Sequence, residues 1–283
     1  MRLDSHQHFW IYNDDDYVWM NDQMNALRRD YLPDQLWAKL QVIGFDGSIA
    51  VQARQSVAET AWLLELADRY PFIRGVVGWV DFESEALDRQ LQQYGAHPLL
   101  KGVRELIHDM PDVNYASNDV HVRAMEKLAR FNLTYDLLLK PPHIRPATEL
   151  VRRFPDQPFV VDHIAKPDIA AGKRSPWQQD IESLARFDNV CCKLSGMVTE
   201  ARWQRWQPDD FHPYLDIMLE AFGPRRLMIG SDWPVCTLSG PYEEVMRIVI
   251  DYIDSMAGDE RAAILGGTCA RFYGVTETGD VPA

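Results

Sequence analysis

The feature that most constrains this chain is an alternation: eight short runs of apolar, largely β-branched residues, each followed by a segment with helix punctuation. The runs span approximately Arg2–His8, Gly47–Gln52, Ile73–Asp81, Leu100–Leu106, Leu133–Leu139, Phe159–Ile164, Val190–Ser195 and Leu227–Asp232. Most are continuously hydrophobic, as in GSIAV, GVVGWV and LMIG. Parallel strands covered on both faces have this pattern, whereas half-exposed sandwich strands alternate. Between the runs, Ser56 with Glu59 three residues on reads as a capping box, Ser117-Asn118 caps VHVRAMEKLARF, and Gly223-Pro224 stops FHPYLDIMLEAF. Strand and helix repeated eight times with no low-complexity linker predict a single (β/α)8 TIM barrel, one domain over residues 1–283. The competing arrangement, an open doubly wound sheet, lacks its usual GxGxxG turn after the first run. Residues 11–29 form a long segment after the first strand, either a lid or a packed excursion, and ETGDVPA reads as a frayed tail.

Composition narrows the partners. With 29 basic and 42 acidic residues the formal charge is 29 − 42 = −13. Without a basic stripe, such a chain has no surface for nucleic acid or an anionic membrane. No stretch approaches about 18 apolar residues. The opening MRLDSHQHFW reaches Asp4 and His6 too soon for a secretory segment, so a cytoplasmic protein is expected. Cys191 and Cys192 are adjacent, Cys236 and Cys269 stand alone, and no CxxC spacing occurs, which favours reduced, structural thiols. Oligomeric state is not legible.

In a barrel of this kind the site is built where the strands end. The first run ends in His6-Gln7-His8, and two imidazoles one pleat apart can hold one divalent cation or donate two hydrogen bonds. The sixth run, PFVVDHIAKP, ends at His163 with Lys166 just beyond, and the eighth, RLMIGSDWPV, ends at Asp232. A carboxylate closing a buried strand is costly unless paired, metal-bound or catalytic. Plain readings stand beside these: a capping Asp232, a core His163, a packed histidine pair. Arg104 and Lys166 suit substrate contact, since a guanidinium fork or an ammonium can hold ring hydroxyls and a carboxylate. Arg54 and Lys140 read equally as solvated loop residues, and Lys193 as the partner of a carboxylate inside the barrel. Gln52 and Trp10 add hydrogen bonding and stacking, or else pack.

Taken in order, DSHQHFW, GVRE, LTYDLLLKPPH, DHIAKP, VCCKLSGM and MIGSDWPVC resemble the amidohydrolase superfamily, specifically its sugar-lactonase branch of L-fuconolactonase- and L-rhamnonolactonase-like proteins. The resemblance covers nearly the whole chain. It implies a barrel that opens aldonolactone rings, such as L-fucono- or L-rhamnonolactone, with water, and a sugar lactone as the partner molecule. His6 and His8 match the first-strand pair, His163 the sixth-strand histidine, and Asp232 the aspartate that activates water. Binuclear members usually carry Lys or Glu at the end of strand four and His at strand five. Here those places hold Arg104-Glu105 and Asp136 with Lys140, so two metals are not expected, and Asp136 becomes a substrate-binding candidate. The expected cofactor is one divalent ion, zinc first, on His6, His8, His163 and Asp232; a metal-free site is the alternative. The rival activities are a metal-dependent decarboxylase of the same superfamily and a barrel that binds sugar acids without turnover.

Overall fold

The computed structural model describes residues 1–276, and the ETGDVPA tail lies outside them. Strands β1 (Leu3–Gln7), β2 (Gly47–Val51), β3 (Ile73–Gly78), β4 (Leu100–Glu105), β5 (Thr134–Leu137), β6 (Phe159–Val161), β7 (Val190–Leu194) and β8 (Leu227–Ile229) lie side by side in chain order. Every adjacent pair is parallel, as continuously apolar runs require. Around them run α1 (Pro33–Ile43), α2 (Val57–Arg69), α3 (Leu87–Tyr94), α4 (Asp119–Leu128), α5 (Ile144–Arg153), α6 (Trp177–Leu184), α7 (Met197–Glu200), α8 (His212–Phe222), α9 (Tyr242–Tyr252), α10 (Gly258–Ala262) and α11 (Thr268–Phe272). The chain is a (β/α)8 barrel.

Local punctuation acts as the residues dictate, with one difference. Asn118 Oδ1 caps α4 through the His121 N–H at 2.8 Å, and Gly223, at φ +67°, ends α8. Ser56 Oγ accepts from the Glu59 N–H at 3.3 Å, but Glu59 does not complete the box. Its carboxylate instead accepts the Ala53 and Arg54 N–H groups, both at 3.0 Å, because the loop leaving β2 folds back over α2 with those donors otherwise bare. Residues 11–29 pack their aromatic side chains: Trp10 meets Tyr17 at 5.8 Å and Trp19 at 6.1 Å between ring centroids, and Tyr17 and Met20 are buried.

Leu3, Ile49, Val51, Val77, Val160 and Met228 fill the barrel's interior, and Cys269 and Tyr273 from the C-terminal helical run close its lower end. All four cysteines are free and buried. At the upper end the barrel closes where β1 meets the segment after β8: the Asp232 N–H donates to the His6 carbonyl at 2.8 Å and the His8 N–H to the Trp233 carbonyl at 2.7 Å. Asp4 pins this seam. Its Oδ1 accepts the backbone N–H of Ser231 (2.9 Å) and of His6 (3.2 Å), and its Oδ2 the hydroxyls of Ser231 (2.6 Å) and Tyr242 (3.2 Å). Complete burial pushes the Asp4 carboxyl up to about 6, although all four bonds favour the anion.

Asp4→Ala leaves three buried donors, the His6 and Ser231 N–H groups and the Tyr242 hydroxyl, without this acceptor, while the Ser231 hydroxyl keeps the His6 carbonyl at 3.3 Å; the change is expected to cost roughly 3 kcal/mol or more in denaturant unfolding. Because folding raises this acid, its contribution is full below the ordinary 3.8 and is lost as pH rises through about 6. Asp4→Asn should remove that portion of the stability–pH curve; an unaltered curve would show that folding leaves the proton affinity of Asp4 unchanged.

Candidate active site

Strict alternation from the inward-facing Leu3 would turn His6 and His8 outward. A shift of register between Asp4 and Gln7 resets the strand, and both rings reach the barrel mouth. Their centroids are 4.9 Å apart, and that of His163 lies 4.3 Å from His6. The three Nε2 atoms converge on one oxygen, Asp232 Oδ1: His8 at 3.2 Å, His163 at 3.8 Å and His6 at 3.9 Å. Asp232 and the three histidines are all at most 4% exposed.

Two of these groups are aimed by unusual backbone. Asp232 sits at φ +58°, and His163, Ile164, Ala165 and Lys166 form a left-handed turn with φ of 54°, 47°, 57° and 51°. L-residues disfavour this region, a β-branched one such as Ile164 most of all, so this strain is held in place by the packing around it. It also explains why β6 and β8 end before the apolar runs do: the chain leaves extended backbone to present His163 and Asp232. Gly196, itself at φ +60°, makes room for the His163 ring, since a Cβ there would stand 2.4 Å from its Nδ1.

The hydrogen bonds fix what the rings can do. His8 Nδ1 lies 2.8 Å from the Val51 carbonyl oxygen and donates to it, so a neutral His8 presents a lone pair at Nε2. That lone pair faces Asp232 Oδ1, an acceptor facing an acceptor, a contact that only a proton or a cation between them makes favourable. Burial holds His6 and His163 well below the usual histidine range despite Asp162 beside the first and Asp232 beside the second. Burial pushes Asp232 the other way, but His163, His8 and Lys166 more than offset it and keep the carboxyl below its ordinary value. Donor atoms on one tetrahedral zinc lie about 3.3 Å apart, close to the spacings here. His6, His8 and Asp232 form one group able to hold an ion; His6, Asp162 and His163 form another.

Beneath the histidines lies a buried network that was only partly foreseen. Lys193 Nζ contacts Asp136 Oδ2 at 2.5 Å and Asp162 Oδ1 at 3.0 Å. Burial would lower this ammonium, but the two carboxylates more than reverse the effect. Burial would likewise raise Asp162, yet Lys193, His6 and Arg104 hold it well below the carboxylate range. The Tyr273 hydroxyl donates to Asp136 Oδ2 at 2.8 Å, so Asp136 faces the closed end of the barrel and not the mouth. Arg104 donates to Asp162 Oδ2 at 3.0 Å and to the carbonyl and amide oxygens of Gln52 at 2.5 and 3.2 Å. Gln52 answers through Nε2 to the Arg104 carbonyl at 3.2 Å. Trp10 Nε1 donates to the Leu27 and Arg29 carbonyls, and its ring lies 6.5 Å from that of His8. Lys166 pairs with Glu200 at 2.8 Å, Arg54 with Asp16 at 2.5 Å and Lys140 with Asp109 at 3.5 Å. The basic residues near the strand ends are thus ion-paired and do not form a bare positive rim.

Asp162 and the support that Ser195 gives His163 are additions to the residues the sequence singles out. Asp162 is two residues beyond the inward-facing Val160, so period two marks it, and Ser195 stands likewise two beyond Lys193. Ser195 Oγ lies 2.9 Å from His163 Nδ1.

A barrel with paired first-strand histidines, a histidine after strand six and an aspartate after strand eight defines a class of hydrolase-type metal or acid–base sites. Residues 3–275 match the amidohydrolase family, and the chain belongs to it. It is 39% identical to an L-fucono-1,5-lactonase of Burkholderia multivorans over 291 residues, covering 99% of this chain and 98% of the relative. An L-fucono-1,5-lactonase of Burkholderia ambifaria is 34% identical over 96% of this chain and 95% of its own. A crystal structure of an amidohydrolase from Burkholderia multivorans with bound zinc superposes with a TM-score of 0.93 at 38% identity, covering 98% of this chain and 100% of that one.

Gly196→Ala forces a Cβ into the space of the His163 ring at a left-handed position. It is expected to destabilise the protein by about 2 kcal/mol and to move the ring off Ser195, measured by unfolding and by a crystal structure of the variant. An unmoved ring would refute the role given to Gly196.

Proposed function

We propose that this protein hydrolyses the ring ester of a sugar lactone, an aldonolactone of the L-fucono or L-rhamnono type, with Asp232 as the general base. The observation that carries this reading is the convergence of three histidine Nε2 atoms on the single oxygen Asp232 Oδ1 at the barrel mouth. The similarity to two L-fucono-1,5-lactonases over almost the full chain supports the substrate class.

The chemistry follows from the protonation states. Asp232 is held ionised and can take a proton from a water molecule as that water attacks the lactone carbonyl. The same carboxyl then returns the proton to the ring oxygen as the C–O bond breaks, leaving a hydroxy acid. No covalent intermediate on the protein is required. His8 is unsuited to donate to the carbonyl as a neutral ring, because its one N–H is spent on Val51. Its lone pair, with those of His6 and His163 and the Asp232 carboxylate, is instead a set of donors for one divalent ion, zinc foremost. Such an ion supplies Lewis-acid polarisation of the carbonyl. Lys166 then binds and orients ring hydroxyls, with Trp10 as a wall beside His8; Gln52 and Arg104, bonded to each other and through Arg104 to Asp162, brace the floor of the site, and Asp136 braces Lys193 from below.

Asp232→Asn is expected to lower kcat on L-fuconolactone by at least about 100-fold with little change in KM, followed by acid release. Near-wild-type turnover would remove Asp232 from the chemistry. Exhaustive chelation is expected to lower both activity and unfolding temperature, and one equivalent of zinc to restore both. Full activity with no metal left by elemental analysis would overturn the cation and leave the role of Asp232 standing.

A further inference from the structure

Arg104 does more than hold Asp162 and Gln52. Its Nη1 also lies 3.2 Å from His6 Nε2, in hydrogen-bonding geometry. A guanidinium has protons to give and no lone pair to receive, so here His6 Nε2 must be the acceptor. On the other side of the same ring, Lys193 Nζ lies 3.1 Å from Nδ1, with Asp162 Oδ1 at 3.3 Å. A neutral imidazole has one lone pair and one N–H. With the lone pair at Nε2, the N–H at Nδ1 points to Asp162, and Lys193 spends its protons on Asp136 and Asp162. His6 is therefore bracketed by two fixed positive charges, and the lone pair that faces Asp232 is already engaged by one of them.

We propose that Arg104 guards the cation site: its Nη1–H occupies the His6 Nε2 lone pair that a divalent ion would take, so that loading the site breaks this bond and Arg104 weakens cation binding. The inference rests on the reading of His6, His8, His163 and Asp232 as ligands of one ion. The exchange is local. When Nη1 releases His6 it keeps Asp162 Oδ2 at 3.0 Å, and Nη2 keeps both oxygens of Gln52, so the guanidinium need not leave its place. What it loses is one neutral acceptor. What the ion meets is a positive charge held a hydrogen bond's length from one of its ligands, and in a buried site that repulsion is weakly screened. Arg104 Nε is buried without a partner, so the side chain is not fully satisfied in its guarding position.

The test is zinc affinity, measured by competition with a chromophoric chelator, on the wild type, Arg104→Met and Lys166→Gln. Arg104→Met is expected to bind zinc at least tenfold more tightly. Lys166→Gln, which removes an equal charge nearby from a side chain paired with Glu200, is expected to change affinity less than threefold. Unchanged or weaker binding by Arg104→Met overturns the guard, as does an equal gain in Lys166→Gln, which would make the effect one of general charge. Zinc binding by Arg104→Met where the wild type binds none supports it. If neither binds zinc, the guard and the single-ion reading fall together, whereas the wild type binding with no gain in the variant sinks the guard alone. The wild type also gives a direct readout independent of whether the variant folds. The NMR coupling across the hydrogen bond from Arg104 Nη1 to His6 Nε2 should be present in the metal-free protein and vanish on zinc loading, and its persistence overturns the proposal.

Discussion

The site depends on the closing of the barrel between its first and last strands. His6 and His8 leave from one side of that seam and Asp232 from the other, and they are neighbours only because backbone bonds join the two sides and Asp4 binds donors from both. A buried acid is an expensive fastener, as its raised proton affinity shows. It is also a specific one: no apolar side chain could accept two backbone N–H groups and two hydroxyls at once and so fix the register at which the strands meet.

Charge is arranged in two tiers. The lower tier, Asp136 and Asp162 against Lys193 and Arg104, is balanced within itself. The upper tier then sets the charge of Asp232 beside His6 and His163, which burial keeps neutral. The chain's net charge of −13 says nothing of this, since it sums over surfaces that never meet the site.

The fold was legible because the barrel repeats its signal eight times, and parallel strands write it as plain hydrophobic runs. The paired histidines, His163 and Asp232 could be found because each stands where an apolar run stops. The runs read too long at β6 and β8, where left-handed backbone at His163 and Asp232 overrides propensity in order to aim a side chain. Contacts spanning long stretches of sequence were not legible either: Arg104 reaches Asp162 across 58 positions, and the tautomer of His8 is set by a carbonyl on β2. Likewise, nothing in the sequence shows that Arg54, Lys140 and Lys166 are paired with Asp16, Asp109 and Glu200, carboxylates that lie far off along the chain.

The sealed lower end of the barrel carries one more consequence. With Cys269 and Tyr273 packed against the interior residues of the strands, the route to the histidines is from above. Whatever the site releases must leave by the way its precursor came in. A product still at the histidines therefore stands in the path of the next substrate, and release and entry compete for one route.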